Sequence, residues 1–173
     1  MIGRGCNEGK ARYMADWSGF FQAELGAAAA LAGLVIVAIS INVSRILADP
    51  SLPGRAAETL VSPSGVLIAC SFALVPHQPG WVLGLEIAVT GAVMAAAPAF
   101  ILFRVLHAGT KVARGYVAGR TILASLSCLP FLVSGALICA GAPGALYWMV
   151  PGVIVSLTAT VLNAWVLLVE ILR

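Results

Sequence analysis

The sequence predicts an all-α fold: a polytopic bundle of about five membrane-spanning helices. Three observations predict it. First, of 173 residues 61% are hydrophobic and 10% are charged, where soluble domains have about 45–50% and about 25%. The mean hydropathy is +1.01. Second, the charges are bunched, and the runs between them reach the ~20 residues that cross a hydrocarbon core of about 30 Å. Third, those runs are continuously apolar and do not alternate as barrel strands do. Helices satisfy their own backbone in lipid, so they are the default. The same composition excludes a soluble globule, a disordered chain, a disulfide scaffold and a nucleic-acid binder.

The gaps between charges set the elements in order. Residues 25–44 lie uncharged between Glu24 and Arg45, which predicts a first helix over about 19–46. The gap 59–85 is broken by Pro76-His77-Gln78-Pro79-Gly80, so a second helix over about 57–75 ends there and a third begins. The third runs over about 81–104. The gap 121–169 is 49 residues, too long for one span, and Gly141-Ala142-Pro143-Gly144 divides it. That predicts a fourth helix over about 120–140 and a fifth over about 145–172. Trp17, Trp81, Tyr147 and Trp148 stand at helix starts, as interfacial aromatics do. Pro98 and Pro130 fall inside the third and fourth helices and are expected to kink them.

Five spans put the N-terminal tail and the two short turns on one side. The loops 47–56 and 105–119 and the C-terminus lie on the other, with Arg45, Arg55, Arg104, Lys111, Arg114, Arg120 and Arg173. The first side holds Arg4, Lys10 and Arg12. The positive-inside rule therefore predicts the N-terminus outside and the C-terminus in the cytoplasm. The tail, residues 1–16, precedes a single transmembrane domain, residues 17–173. All three tail cations precede Met14, so residues 1–13 are expected to be dispensable and Met14 is an alternative start. A cleaved signal peptide fits less well, because the apolar run Leu25–Ile41 exceeds the usual h-region of about 7–15 residues.

Helices associate in lipid by close packing, which small side chains permit. The first helix carries Ala23, Gly26, Ala30 and Gly33, continued by Val37, Ser40 and Ser44. The third has Gly84, Ala88, Gly91, Ala95 and Ala99, and the fifth has Gly152, Ser156, Thr160, Asn163 and Glu170. These three faces are expected to look inward, within the chain or across an interface between copies.

Ionisable groups within membrane helices are costly and are candidates for function. Glu24 and Glu86 each lie about a turn inside a helix, and His77 sits in the nearby outer turn. Together they would make a cation or proton site; alternatively, both carboxylates rest at wet depth near helix N-termini. Glu24 and Asn42 share one face of the first helix, and that face could line a pore between copies. Arg45 and Glu170 lie at matched depth and are expected to form a structural ion pair. Cys6, Cys70, Cys128 and Cys139 read as small hydrophobes, three of them within apolar runs.

No phosphate-binding loop, dinucleotide fingerprint, zinc-protease helix or nucleophile elbow is present. The two histidines, His77 and His107, fall on opposite sides of the membrane and cannot share a metal. No enzymatic activity and no cofactor are expected. The expected partners are the bilayer and a second copy or another membrane protein, with no nucleic acid.

The stretch Trp17-Ser-Gly-Phe-Phe-Gln-Ala-Glu-Leu-Gly26, with Ala27–Gly33, Ser40-Ile-Asn-Val-Ser-Arg-Ile-Leu47 and Leu52-Pro-Gly-Arg-Ala-Ala-Glu58, resembles the start of a group of small bacterial polytopic inner-membrane proteins. The resemblance covers about the first third of the chain from Met14. It implies a bacterial inner membrane and supports that start, and it carries no activity. The Ala23-Glu24 pair is also similar to one in small multidrug transporters. Their acidic residue lies deeper and their chains have four spans, so that activity is not transferred. The expected function is a self-associating or accessory membrane subunit. The alternative is a small homo-oligomeric channel or transporter for a cation or small solute.

Overall fold

In a computed structural model the backbone is described for residues 2–48, 52–107 and 114–172. Side chains are described for residues 17–48, 53, 56–57, 59–96, 98–100, 124–165 and 169. Among these the regular structure is helical throughout. Helix α1 spans Ile2–Ile41, α2 Val43–Ala48, α3 Leu52–Ala73, α4 Gly80–His107, α5 Arg114–Cys139 and α6 Met149–Leu172. A single 3₁₀ turn, Ala145–Trp148, leads into α6.

The helix boundaries follow local chemistry. The first helix starts at Ile2, well before the expected residue 19. Charge marks where a bilayer ends and not where a helix ends, and no proline interrupts residues 2–16. A break at Asn42 separates α1 from α2: its amide bonds back to the Ile39 carbonyl at 3.2 Å. Its side chain donates to the Ala38 carbonyl at 2.9 Å. Helix α5 ends in a Schellman motif, with Ala142 N–H bonded to Leu137 C=O and Gly141 N–H to Ile138 C=O. Gly141 supplies the left-handed residue that this motif needs, at φ 70°. Pro63, Pro98 and Pro130 lie within helices that continue through them.

Helices α3, α4, α5 and α6 form a ring in which each packs on the next and α6 returns to α3. Helix α1 lies outside the ring, chiefly on α3 and partly on α6. Phe131, Ile87, Met149, Val66 and Val153 fill the ring, and Phe21 and Ala28 enter it from α1. The tightest pair is α4–α5. A methyl group added at Gly135 would stand 2.6 Å from both the Ala88 nitrogen and the Gly84 oxygen. One added at Gly91 would stand 3.0 Å from Phe131 Cβ. The expected inward direction of the α4 stripe thus holds at Gly84 and Gly91, both buried, and at the half-buried Ala95.

Three segments are long and apolar enough to cross a membrane: Trp17–Ile41, Gly80–Phe100 and Ala145–Trp165. Their 25, 21 and 21 residues rise about 38, 32 and 32 Å. Thr59–Ala73 and Ala124–Cys139 are apolar over shorter lengths. Large apolar side chains are exposed on every long helix, including Leu34, Ile68, Val93, Leu129 and Leu162. Soluble monomers rarely carry apolar patches of such extent. The exposed belt and the three long apolar segments are compatible with a membrane location.

Candidate functional site

A groove of about 560 Å³ runs between α3 and α4. From α4 it takes Glu86, Val89, Thr90 and Val93, the i, i+3, i+4, i+7 positions of one helical face. From α3 it takes Leu60, Ser64, Ile68 and Phe72, again one face. Met94 forms part of its wall against Gly65, where an added Cβ would overlap the Met94 thioether. Glu86 is the one charged residue in the lining.

The Glu86 carboxylate accepts a hydrogen bond from the Gln78 side-chain amide. The turn between α3 and α4 makes this contact. Pro76 ends α3, and His77 adopts the left-handed conformation at φ 59°. The chain then reverses, so that the next residue faces the first turns of α4. The Pro79 carbonyl accepts from Val82 and Leu83, which starts that helix. Thr90 donates to the Glu86 carbonyl at 2.7 Å, so its hydroxyl is satisfied within α4. Gln78 Oε1 is buried and has no hydrogen-bond partner among the described residues.

The expected trio of Glu24, Glu86 and His77 is not assembled. Glu24 lies on α1 within electrostatic reach of Cys70 on α3. Phe72, two residues on, faces the groove, and two residues turn a helix by about 200°. Helix α3 therefore stands between the two carboxylates. His77 is exposed, and its neighbour Gln78 takes the place beside Glu86. Attention to ionisable residues alone passed over Gln78, although it shares the turn with His77 and precedes Glu86 by eight residues.

The face with Glu24 and Asn42 is the packed face of α1. Phe21, Ala28 and Val35 are buried at steps of seven, flanked by half-buried Glu24, Leu31, Ala38 and Asn42. A seven-residue step keeps one seam against a partner helix, so this face is unavailable to line a pore. The stripe with Gly26, Ala30 and Gly33 turns away from the ring instead, and all three residues are exposed. A Cβ added at Gly26 or Gly33 would meet nothing within 4 Å. Its inward orientation within the chain is therefore corrected: the bulkier Phe21–Val35 seam took the contact with α3.

On α6 the small face does pack inward. Ser156 and Thr160 are buried and Asn163 is half-buried, and a Cβ at Gly152 would stand 3.0 Å from Phe131 Cε2. Thr160 donates to the Ser156 carbonyl at 2.8 Å. The Arg45–Glu170 pair depends on the Glu170 side chain, which lies outside the described residues, as do the side chains of Cys6 and His107. Cys70 and Cys128 are buried, whereas Cys139 is exposed and its thiol donates to the Trp81 carbonyl at 3.5 Å. It ends α5 with its sulfur toward α4, 2.6 Å from where a Cβ at Gly84 would stand. Trp17 and Tyr147, both expected at a membrane boundary, meet edge to face at 4.8 Å and tie α1 to the 3₁₀ turn.

The chain matches no protein-family model, no curated protein and no solved structure. Among the described residues no three His, Cys, Asp or Glu side chains come together as metal ligands would. What the groove offers chemically is one carboxylate with one amide partner at the side of an apolar trough. That arrangement can hold a cationic or hydrogen-donating group.

Proposed function

We propose that this chain is a multi-pass integral membrane protein, of five spans, that acts as a self-associating or accessory subunit through the outer face of α1. The observation that carries the reading is the unused state of that face. Of the apolar window in Trp17–Ile41 only 11% is buried within the chain. Elsewhere the chain places glycine where helices approach closely: Gly84 and Gly135 between α4 and α5, and Gly152 against Phe131. Glycine in a helix costs about 1 kcal/mol relative to alanine. Gly26 and Gly33 carry that cost with no close neighbour in the chain. A second helix seated on Gly26, Ala30 and Gly33 would recover it through close packing.

The five spans include α3 and α5, whose apolar cores are extended by the flanking turns of each helix. The positive-inside bias orients them with the C-terminus in the cytoplasm, and the resemblance of the first third of the chain implies the inner membrane of a bacterium.

Cysteine cross-linking in native membranes tests the interface. In a background with Cys6 and Cys139 replaced by serine, Ala30→Cys is expected to form a disulfide-linked dimer on mild oxidation. Ala28→Cys, buried against the ring, is expected to form none. Equal cross-linking at both positions, or none at Ala30→Cys together with a purely monomeric mass and no co-purifying membrane protein, would overturn the reading.

A further inference from the structure

We infer that the α3–α4 groove is a binding site for a hydrophobic amine in its protonated form, with the ammonium at Glu86 and the apolar body lying toward Val93. The site is independent of association through α1, because the α1 seam and the groove lie on different faces of α3.

Volume, lining and charge each support the assignment. Small-molecule sites occupy about 300–1,000 Å³ and are mostly apolar, with few polar groups that fix orientation. The groove has about 560 Å³ and is walled by apolar side chains such as Phe72, Val89 and Val93. Its exposed edge, Val89 and Val93, faces the apolar exterior, so a membrane-dissolved molecule could enter sideways. Among the lining residues Glu86 has no basic counterpart. An unpaired carboxylate in an apolar setting is costly, and a cation within hydrogen-bond reach offsets that cost.

Hydrogen bonding narrows the class further. The Gln78 amide uses its N–H on Glu86, and its oxygen is left buried and without a described partner. The Glu86 carboxylate, which lines the groove, keeps acceptor capacity beyond that one amide bond. An ammonium bearing N–H groups donates to that carboxylate, whereas a quaternary ammonium supplies charge alone. Charge-assisted hydrogen bonds are roughly twice as strong as neutral ones, so protonated amines are preferred over quaternary analogues of equal size.

The test is equilibrium binding to the full chain in lipid nanodiscs, with empty nanodiscs as the baseline. The probe is tritiated imipramine, a tricyclic tertiary amine, compared with its N-methyl quaternary derivative and with the amine-free tricycle iminodibenzyl. Saturable binding near one probe per chain is expected, in the order tertiary amine, quaternary ammonium, neutral tricycle. Glu86→Gln retains an acceptor for the Gln78 amide and is expected to weaken imipramine at least tenfold. Val89→Trp fills the groove from an exposed position, leaves the ring intact, and is expected to abolish binding with an unchanged melting temperature. Absence of saturable binding, equal affinity for the neutral tricycle, or undiminished binding by both variants would overturn the proposal. So would a phospholipid retained in the groove that imipramine does not displace, or a second copy of the chain protecting Val89→Cys from labelling.

Discussion

Two buried serines of the ring carry opposite expectations. Ser134 donates to the Ala145 carbonyl at 2.9 Å, with both groups buried, and so ties α5 to the 3₁₀ turn. Removing the hydroxyl loses that bond and leaves the carbonyl short of a donor. Ser134→Ala is expected to destabilise by about 1 kcal/mol. Ser156 is equally buried, but its hydroxyl oxygen has no hydrogen-bond partner among the described residues. Ser156→Ala is expected to be neutral or mildly stabilising, because it removes an unsatisfied polar atom. Thermal melts in one detergent check the pair, and an equal fall for both variants would contradict the assigned bonding. That Ser134 has a partner and Ser156 none among the described residues was not legible beforehand. A serine in an apolar run marks a polar atom that needs an acceptor, but which backbone carbonyl lies opposite depends on how α5 meets the turn before α6.

Helix pairs sort the glycines. Gly135 on α5 faces the Ala88 nitrogen and the Gly84 oxygen, which are backbone atoms of α4 and cannot yield without moving that helix. Gly135→Ala is therefore expected to cost about 1–3 kcal/mol and to lower the melting temperature. Gly33 on α1 has open space in place of a neighbour. Gly33→Leu is expected to leave the melting temperature of the dispersed chain unchanged while weakening self-association, measured by sedimentation in detergent. A large loss of stability for the dispersed Gly33→Leu chain would mean that α1 packs differently. Spacing predicted packing faces on α1, α4 and α6; those of α4 and α6 pack inward, and the stripe on α1 turns away from the ring. Spacing could not rank the α1 stripe against the opposite seam of Phe21, Ala28 and Val35, because both repeat at helical intervals. Area decided the contest: the seam offers Phe21 and Val35 to the ring, while the stripe offers little beyond backbone.

At the scale of the molecule one core joins the ring of α3 to α6 with Phe21 and Ala28 of α1, and an aromatic clasp adds to that seam. Trp17 meets Phe20, Phe21 and Tyr147 at ring separations of 5.7, 5.9 and 4.8 Å. Trp17→Ala is expected to loosen α1 from the ring and to raise its susceptibility to added protease, with little effect on the melt of the remainder. For the topology, a green fluorescent protein fused after Arg173 is expected to fluoresce, and a phosphatase there to be inactive. A phosphatase inserted in the turn at Gly141-Ala142-Pro143-Gly144 is expected to be active. The reverse pattern at either site would invert or reduce the five-span arrangement. Removal of residues 1–13 is expected to leave membrane accumulation intact, since the apolar part of α1 begins at Trp17.

Composition and the spacing of charges determined the helical class, the turns at Pro76–Gly80 and Gly141–Gly144, and the approximate position of every long helix except α1, which starts well before the expected residue 19. They could do so because backbone satisfaction in an apolar environment admits few alternatives, and because proline and glycine punctuate helices locally. Only the tertiary structure decided which faces meet. Glu24 and Glu86 look equivalent along the chain, each near the start of an apolar helix, yet α3 separates them. Glu86 acquires a groove and the Gln78 amide, while Glu24 lies within reach of Cys70. The rotation of one helix about its own axis turns on side-chain contacts summed over its whole length. No local run of residues encodes that rotation, and the rotation settles which carboxylate has a site.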